Sequence, residues 1–379
     1  MSVNDAQLVE ALAAIEDPEL RRSIHQLGML RGAAVSGDQA HIVVAMPAED
    51  HPTGPMLHEA IGNAVAGLGL AGADIEFVLM TEDEQGALRS QLIGDPALTA
   101  GSQAGHGHAE GRAISFADPA STTRVLLIAS GKGGVGKSSV TTNLAIALSQ
   151  RGKRVAVIDA DVWGFSIPRM LGAERAPVVI DQMVVPVEAN GVRMISMGFF
   201  AREDQPVIWR GPMLHKALEQ FLTDVFWDEP DYLLIDLPPG TGDISLSIAQ
   251  FLPRGEVYVV TTPQPAAQKV AQRAAFMAEK VRLEVKGVIE NMSWFTGDDG
   301  KKYEIFGSGG GQELAEELEV PLIGQVPLVT ELREGGDDGH PVTVVAPDSE
   351  VAGSFRDIAR VIDEELQPTK RFHPELKLI

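Results

Sequence analysis

The spacing with the clearest chemical meaning is a run of glycines and lysines in the middle of the chain. It consists of Gly131, Lys132, Gly133, Gly134, Val135, Gly136, Lys137, Ser138 and Ser139. The run matches G-x-x-x-x-G-K-[ST], follows an apolar strand and opens a predicted helix, which is the context that a phosphate-binding loop requires. Its glycines allow backbone N–H groups to surround a phosphate at the helix N-terminus. We expect the whole run to bind ATP, with Lys137 spanning the β- and γ-phosphates and Ser138 ligating Mg²⁺.

Two acidic segments that follow predicted strands complete this site. Asp159 and Asp161 come at the end of RVAVID and just after it, and Asp236 ends DYLLID. The carboxyl ends of parallel strands share one edge of a sheet, so these carboxylates are expected beside the phosphates. We predict that Asp161 orients the attacking water, that Asp159 holds water on Mg²⁺, and that Asp236 is the Walker-B carboxylate. A lone aspartate at a strand end more often caps a turn, but two of them behind such a loop favour a metal role.

Four further residues are candidates for a role at this site. The Asn291 amide follows the strand EVKGVIE and is expected to read the adenine edge, with turn capping as the alternative. Gly240 and Gly242, just after Asp236, would let their loop sense the γ-phosphate. Lys132 is not needed to cradle phosphate within one chain, so a surface lysine is its plainer interpretation.

The elements that must position these residues alternate from Arg124 onward. Predicted strands are RVLLIAS, RVAVID, DYLLID, EVYVVTT, EVKGVIE and VPLIGQV, and predicted helices cover 138–150, 212–226, 266–280, 312–318 and 350–366. Strands that are apolar almost throughout are typical of a parallel sheet covered on both faces. Residues 184–196, with an Asn190-Gly191 turn, predict a hairpin insert. The pattern predicts an α/β fold with a doubly wound, mostly parallel sheet.

The first quarter of the chain predicts a separate small α+β domain over residues 1–93. We expect a helix at 5–15, a short helix after Asp17-Pro18, strands at 29–35, 41–46 and 74–80, and helices at 56–68 and 84–92. Residues 1–92 contain 14 acidic side chains, four arginines and no lysine, a net charge of −10. This domain is therefore strongly acidic.

Residues 94–122 lack periodicity and are rich in Gly, Ala, Ser and Pro, which predicts a flexible linker before an ATPase domain over 123–379. His106 and His108 in this linker supply too few ligands for a firm metal site.

Composition excludes several classes of function. The net charge of −22 argues against broad binding to nucleic acid or to an anionic membrane. The chain has no cysteine, which excludes thiol catalysis and any iron–sulfur cluster held by its own thiolates. It shows no apolar run of membrane-spanning length and no secretory signal at its start, so we expect a cytoplasmic protein with no nucleic-acid or membrane partner.

The chain resembles the Mrp-type ATPases, the iron–sulfur cluster carrier branch of the MinD/ParA class with a deviant Walker A loop. The stretches that carry the resemblance are STTRVLLIASGKGGVGKSSVTTNLA, VIDADVWGFSIPRMLG, IWRGPMLHKALEQF, YLLIDLPPGTGD, GVIENMSWF and IFGSGGG. The first domain, with IEDPEL, is similar to an iron–sulfur-assembly domain often fused ahead of that ATPase. The resemblance implies ATP hydrolysis with Mg²⁺, a homodimer, and delivery of clusters to apoproteins. It also implies that Lys132 reaches the nucleotide of the opposing subunit, giving Lys132, Lys137 and Asp161 as catalytic residues.

The chain departs from this family at the cluster ligands. After ENMSWF the family usually has a C-x-x-C pair, whereas this chain has TGDDGKK over 296–302. Asp298 and Asp299 are hard ligands unsuited to iron sulfide, and Asp299-Gly300 predicts a hairpin turn that closes the loop without metal. Where the assembly domain tends to have a cysteine before proline, this chain has His51; for His51 and His58 we expect capping or surface roles. A cluster would then be held only through thiols of partner assembly factors or apoprotein clients, or the chain would be a nucleotide-gated scaffold.

Two other classes of function share the phosphate loop. A positioning switch of the MinD/ParA type needs a basic amphipathic tail or patch, and the short tail 370–379 is interrupted by Pro374. An electron donor similar to nitrogenase reductase needs cluster cysteines. Cluster maturation is therefore the favoured function, with the positioning switch as the alternative.

Overall fold

The computed structural model of the protein describes residues 3–49, 51–94, 114–162, 164–173, 175–200, 211–240 and 244–369. Its helices, in chain order, are α1 (Asp5–Ala13), α2 (Gly54–Gly67), α3 (Glu82–Ile93), α4 (Lys137–Gln150), α5 (Ile167–Leu171), α6 (Gly211–Thr223), α7 (Ile244–Phe251), α8 (Pro265–Lys280), α9 (Gly310–Glu317), α10 (Thr330–Asp338), α11 (Val342–Val345) and α12 (Glu350–Arg360). None of these helices has the length and apolarity needed to cross a membrane.

The strands, in chain order, are β1 (Glu16–Asp17), β2 (Arg22–Ser23), β3 (Leu30–Ser36), β4 (Gln39–Met46), β5 (Gly72–Leu79), β6 (Arg124–Ser130), β7 (Val155–Asp159), β8 (Val178–Ile180), β9 (Met183–Val185), β10 (Val187–Ala189), β11 (Val192–Ser196), β12 (Tyr232–Asp236), β13 (Glu256–Thr261), β14 (Glu284–Asn291), β15 (Phe295–Thr296), β16 (Lys302–Tyr303) and β17 (Leu322–Val326).

The chain divides into two compact bodies, of which the first lies within Met1–Arg112, Pro177–Pro186 and Asp224–Phe226. Its sheet has the order β3-β4-β5, with β4 antiparallel to β3 and parallel to β5. Helices α1 and α2 pack on this sheet and on each other. Capping boxes, in which the cap side chain and the residue three positions on bond each other's backbone, begin α1 and α3. The β8–β9 hairpin contributes buried apolar side chains to the same core.

The second body is built on a sheet with the order β10-β11-β7-β12-β6-β13-β14-β17. Apart from the antiparallel pair β10–β11, all neighbours are parallel. Every residue of β7, β11, β12 and β13 is buried, as expected for strands covered on both faces. Since β12 pairs with both β6 and β7, the phosphate loop after β6 lies beside the carboxyl end of β12, and that of β7 is one strand further on.

The structure corrects two local expectations. No helix follows Asp17-Pro18, because the Asp17 carboxylate accepts the backbone N–H groups of Glu19 and Leu20 and folds a turn between β1 and β2. The Asn190-Gly191 hairpin forms, but its second strand is not an insert, since β11 pairs in parallel with β7 inside the main sheet. The linker histidines His106 and His108, Gly242 and the tail 370–379 lie outside the described residues.

Candidate functional site

The phosphate loop of residues 131–136 connects β6 to α4 along a path that only glycine permits at two points. A Cβ on Gly131 would lie 2.2 Å from the backbone carbonyl carbon of Val270 in α8. Gly136 has a φ of +78°, and a Cβ there would lie 2.2 Å from Nδ2 of Asn291. No side chain caps α4, which begins at Lys137. Its first N–H groups therefore lack a side-chain partner at the end of the loop, which is the arrangement that binds a phosphate.

Asp236 is the acceptor on which the site converges, and it is fully buried at the end of β12. Its Oδ2 accepts hydrogen bonds from Lys137 Nζ at 2.7 Å and from Ser138 Oγ at 2.6 Å. Its Oδ1 accepts one from Thr141 Oγ1 at 2.7 Å. The lysine and the serine predicted to hold phosphate and Mg²⁺ thus share one carboxylate oxygen. Nucleotide binding must break or share these contacts.

Asp159 and Asp161, the other two predicted carboxylates, differ in their exposure to solvent. Asp159 is fully buried, and its carboxylate accepts from the Ser196 hydroxyl at 3.0 Å and from the N–H groups of Asp161 and Ile167. Burial, and next the neighbouring Asp236, raise the pKa of Asp159 to about 8. Asp161 is more exposed, and its Oδ2 lies 3.8 Å from Lys137 Nζ. Asp161 is therefore a second carboxylate near the phosphate lysine, farther from it than Asp236.

Lys132 is placed differently from Lys137. It is half-buried, and its Nζ donates to Oε1 of Gln264 at 3.4 Å. Gln264 precedes α8 as its N-cap residue. The two lysines of the loop therefore have different partners, since Lys137 points to the carboxylates and Lys132 to an amide.

Asn291 is brought to the phosphate loop itself. It is buried, its Nδ2 donates to the carbonyl of Val135 at 2.9 Å, and its Oδ1 has no hydrogen-bond partner among the described residues. Glu290, which precedes it, accepts from the Gly311 N–H at 2.6 Å and from Gln325 Nε2 at 2.7 Å. The amide is thus held against the loop by its nitrogen, and its oxygen is the group left for a ligand.

Gly240 brings the loop after β12 to the same edge. Its N–H donates to the carbonyl of Ser130 at 2.9 Å, and its φ is +93°. Sequence reasoning missed Thr141, Gln264 and Glu290. The spacing of Thr141, four residues after Lys137 on one helix face, is the signal that could have identified it.

The donors present fit Mg²⁺ and do not fit an iron–sulfur cluster. The Ser138 hydroxyl and the Asp236 carboxylate are hard oxygen ligands of the kind that bind Mg²⁺ directly or through water. The described part of the chain contains no group of three or more His, Asp or Glu arranged to hold a metal. With no cysteine in the sequence, no thiolate is available for iron sulfide.

The segment after Trp294 closes on itself as a small hairpin, in which β15 pairs with β16. Asp299 Oδ2 accepts from the Tyr303 hydroxyl at 2.9 Å, and Oδ1 accepts from the Lys301 N–H at 3.1 Å. These hydrogen bonds lower the pKa of Asp299. Lys302 lies over the Trp294 ring at 3.7 Å and pairs with Glu350 of α12 at 3.1 Å. Hydrogen bonds, an ion pair and a cation–ring contact among the described residues therefore stabilise this loop.

His51 of the first body is buried rather than at the surface. The Thr53 hydroxyl donates to Asp17 Oδ2 at 2.8 Å and lies 2.9 Å from His51 Nδ1. Burial lowers the pKa of His51. His58 is exposed, with its ring 6.4 Å from that of Phe77. The two histidines therefore do not form a shared site.

The chain is similar to proteins of one kind along nearly its whole length. The family model described as ParA, NUBPL iron-transfer P-loop NTPase, matches residues 121–363, and the one described as iron-sulfur cluster assembly protein matches residues 5–76. A protein of Mycobacterium leprae (strain TN) named iron-sulfur cluster carrier protein is 43% identical over 361 residues, covering 93% of this chain and 90% of the relative. A protein of the same name from Deinococcus radiodurans is 40% identical over 364 residues, covering 95% of each.

One solved structure extends this similarity to three dimensions. It is the nucleotide-binding protein from Archaeoglobus fulgidus in complex with ADP. It has 34% sequence identity and a TM-score of 0.53, and the match covers 61% of this chain and 91% of that one.

Proposed function

Since this chain belongs to the ParA/NUBPL family of iron-transfer P-loop NTPases, whose relatives are named iron-sulfur cluster carrier proteins, we propose that it hydrolyses ATP to ADP and phosphate in the maturation of iron–sulfur proteins. The observation that supports ATP as the substrate is the convergence of Lys137 and Ser138 on Asp236 at the uncapped end of α4. No observation favours the alternative of a positioning switch.

In this proposal the loop residues bind the triphosphate and the carboxylates manage metal and water. Lys137 leaves Asp236 to span the β- and γ-phosphates, while Ser138 and Asp236 hold Mg²⁺ between them, partly through water. Bound Mg²⁺ supplies positive charge that offsets the charge on the phosphate oxygens. Asp161, beside Lys137, orients the water that attacks the γ-phosphorus as the bond to the ADP oxygen breaks. Asp159, buried at the end of β7, would hold water of the bound Mg²⁺.

Asn291 and Lys132 complete the proposal. Asn291 reads the adenine edge through the amide oxygen that has no protein partner, and its nitrogen keeps the loop in place. Lys132 exchanges Gln264 for the nucleotide of a second copy in a homodimer, where it offsets charge that develops in the transition state. The weak 3.4 Å contact with Gln264 is one that such an exchange loses at little cost.

Substitution of Lys132 tests the dimeric mechanism. Lys132→Ala should keep ADP affinity within about threefold and lower kcat by roughly 10³-fold, as for other charge-stabilising residues supplied in trans. Lys280→Ala, at the exposed end of α8, is the matched control and should change neither. Turnover and sedimentation velocity are measured on the same samples with ATP and Mg²⁺. If the unsubstituted protein stays monomeric with ATP and Mg²⁺ and still hydrolyses ATP at its full rate, the mechanism is wrong.

The cluster is cargo in this proposal, and its thiolate ligands come from a partner. Because the chain has no cysteine and the hairpin after Trp294 is closed by Asp299 and Tyr303, the isolated protein should gain no stoichiometric cluster on anaerobic reconstitution with iron and sulfide. The visible absorption and the iron content per chain measure this. A stoichiometric cluster on the isolated protein would refute the cysteine argument and leave the ATPase proposal standing.

A further inference from the structure

Strand β5 forms an open edge of the three-stranded sheet in the first body. All eight of its residues pair with β4, and no other strand in the described ranges pairs with it. Edge strands in natural proteins are usually protected by charged side chains (lysine above all), proline, a bulge, great shortness or a covering helix or loop, and the charges on β5 are Asp74 and Glu76. Strand β5, Gly72–Leu79, has no lysine, no proline and an uninterrupted register. Its outer backbone groups are therefore a template for another strand.

One face of β5 carries the apolar core out to this open edge. In the register with β4, Ile75 lies beside Ile42, Phe77 beside Val44, and Leu79 beside Met46. The β4 partners are buried, whereas Phe77 is 36% exposed and Leu79 is 51% exposed. The apolar face of the sheet therefore extends onto β5, where Phe77 and Leu79 are only partly covered.

The opposite face of β5 carries two carboxylates, Asp74 and Glu76, followed by the half-buried Val78. Asp74 and Glu76 are exposed, and the side chain of Asp74 is 80% exposed even beside its neighbour His41. The first 92 residues contain no lysine and have a net charge of −10. A strand added here would thus meet apolar side chains on one face and carboxylates on the other.

We propose that β5 binds an extended segment of a partner protein whose side chains alternate between apolar and basic residues. The segment pairs with β5 as a fourth strand, its apolar side chains cover Phe77 and Leu79, and its Lys or Arg side chains face Asp74 and Glu76. A second copy of this chain is a poor occupant, because pairing β5 with β5 would bring the carboxylates of two copies together. This inference does not depend on the nucleotide site.

Hydrogen exchange on the full-length protein tests where the segment binds. The probe is an eight-residue peptide that alternates valine and lysine, the length of β5, and the matched control peptide alternates valine and glutamate. The valine–lysine peptide should slow exchange of β5 amides by about tenfold or more and leave those of β3, the other edge, unchanged. Unchanged β5 exchange at a saturating peptide concentration would overturn the proposal, as would equal protection by both peptides.

Charge reversal tests how the segment is recognised. Asp74→Lys with Glu76→Lys should weaken binding of the valine–lysine peptide roughly tenfold, since two exposed ion pairs are lost and become repulsions. The control, Glu10→Lys with Glu59→Lys, makes the same change in net charge at exposed positions of α1 and α2. An equal loss in the control would overturn the proposal, because attraction would then be general. If the protection of β5 amides rises with protein concentration in the absence of peptide, β5 binds a second copy of this chain and the proposal is wrong.

Discussion

Thr141 offers the sharpest test of how the phosphate site is built. Its hydroxyl lies one helical turn after Lys137 and donates to Asp236 Oδ1 at 2.7 Å, in a position with no exposure to solvent. Thr141→Val keeps the shape of the side chain and removes this donor. Asp236 then keeps Lys137 and Ser138 on Oδ2 while Oδ1 has lost its one side-chain donor in the described structure.

The expected cost follows from the charge on the acceptor. A hydrogen bond to a charged group contributes about 1.5–3 kcal/mol, and a buried acceptor left without a partner costs a similar amount. Thr141→Val should therefore lower the free energy of unfolding by about 1.5–3 kcal/mol and Tm by roughly 3–10 °C. Because Asp236 turns toward the remaining donors, the Mg²⁺-dependent part of ADP affinity should fall roughly tenfold.

Thermal unfolding and ADP titration with and without Mg²⁺ measure these two effects. Thr142→Val is the matched control, because Thr142 is equally buried in the next position but reaches only Met170 Sδ at 3.8 Å. Thr141→Ser should restore both quantities by restoring the hydroxyl. If Thr141→Val is as stable as Thr142→Val and binds ADP with unchanged Mg²⁺ dependence, Thr141 does not position Asp236 and the reasoning is wrong.

Three further substitutions test separate parts of the second body. The pKa of Asp159 is raised to about 8, so its carboxyl stays protonated in the folded protein between about pH 4 and 8, and the free energy of unfolding falls as pH rises through that window. Without nucleotide, Asp159→Asn should reduce this fall by about 2–4 kcal/mol, as measured by urea unfolding at pH 5 and pH 8. Glu256→Gln removes the charge of the buried carboxylate that pairs with Arg124 at 2.7 Å. It should lower the free energy of unfolding by about 3–5 kcal/mol and leave ADP affinity unchanged. A loss below about 1 kcal/mol would contradict a stabilising role for this ion pair. Gly131→Ala should displace the loop from α8 and lower both Tm and ADP affinity. Gly133→Ala, whose Cβ would meet only Pro239 Cγ at an ordinary contact distance of 4.0 Å, should keep Tm, and equal Tm values would refute the packing argument.

Much of the site could be predicted from sequence because its chemistry lies in local spacing. The loop glycines, Lys137 and Ser138 are read from one motif, and Asp236 follows from its place at a strand end. The predicted resemblance to iron–sulfur cluster carriers and the doubly wound α/β fold are confirmed by the family matches and by the parallel order of the main sheet. The roles of the individual site residues, those of the phosphate loop as well as those of Asp159, Asp161, Asp236 and Asn291, remain predictions.

The rest of the site depends on which strands are neighbours, and local patterns do not specify that. The Asn190-Gly191 turn determines a hairpin, but only the packing of β11 beside β7 places Ser196 within 3.0 Å of Asp159. The pKa of Asp159 is raised first by burial and next by Asp236, which comes close because β12 pairs with β7. Likewise, no spacing indicates that Gln264 meets Lys132, since these side chains come from different strand–helix connections.

The hairpin after Trp294 allows the cysteine argument to be tested by gain of function. Gly297 and Gly300 stand at C-x-x-C spacing, and the Gly300 N–H donates to the Gly297 carbonyl at 2.9 Å. A cysteine at Gly300, where φ is +73°, costs about 1–2 kcal/mol, and a Cβ on Gly297 would lie 2.8 Å from the Tyr303 ring and displace it.

Because these costs fall on a short surface hairpin, Gly297→Cys with Gly300→Cys should fold and open the turn that Asp299 and Tyr303 now close. Anaerobic reconstitution with iron and sulfide should then give one cluster shared by two chains, seen as visible absorption and as iron per chain. Gly297→Cys alone is the control and should bind none, since half of the thiolates would be missing. If the double variant stays folded and still binds no cluster, the absence of cysteine does not explain why this chain would lack a cluster of its own, and the loop itself does not form the site.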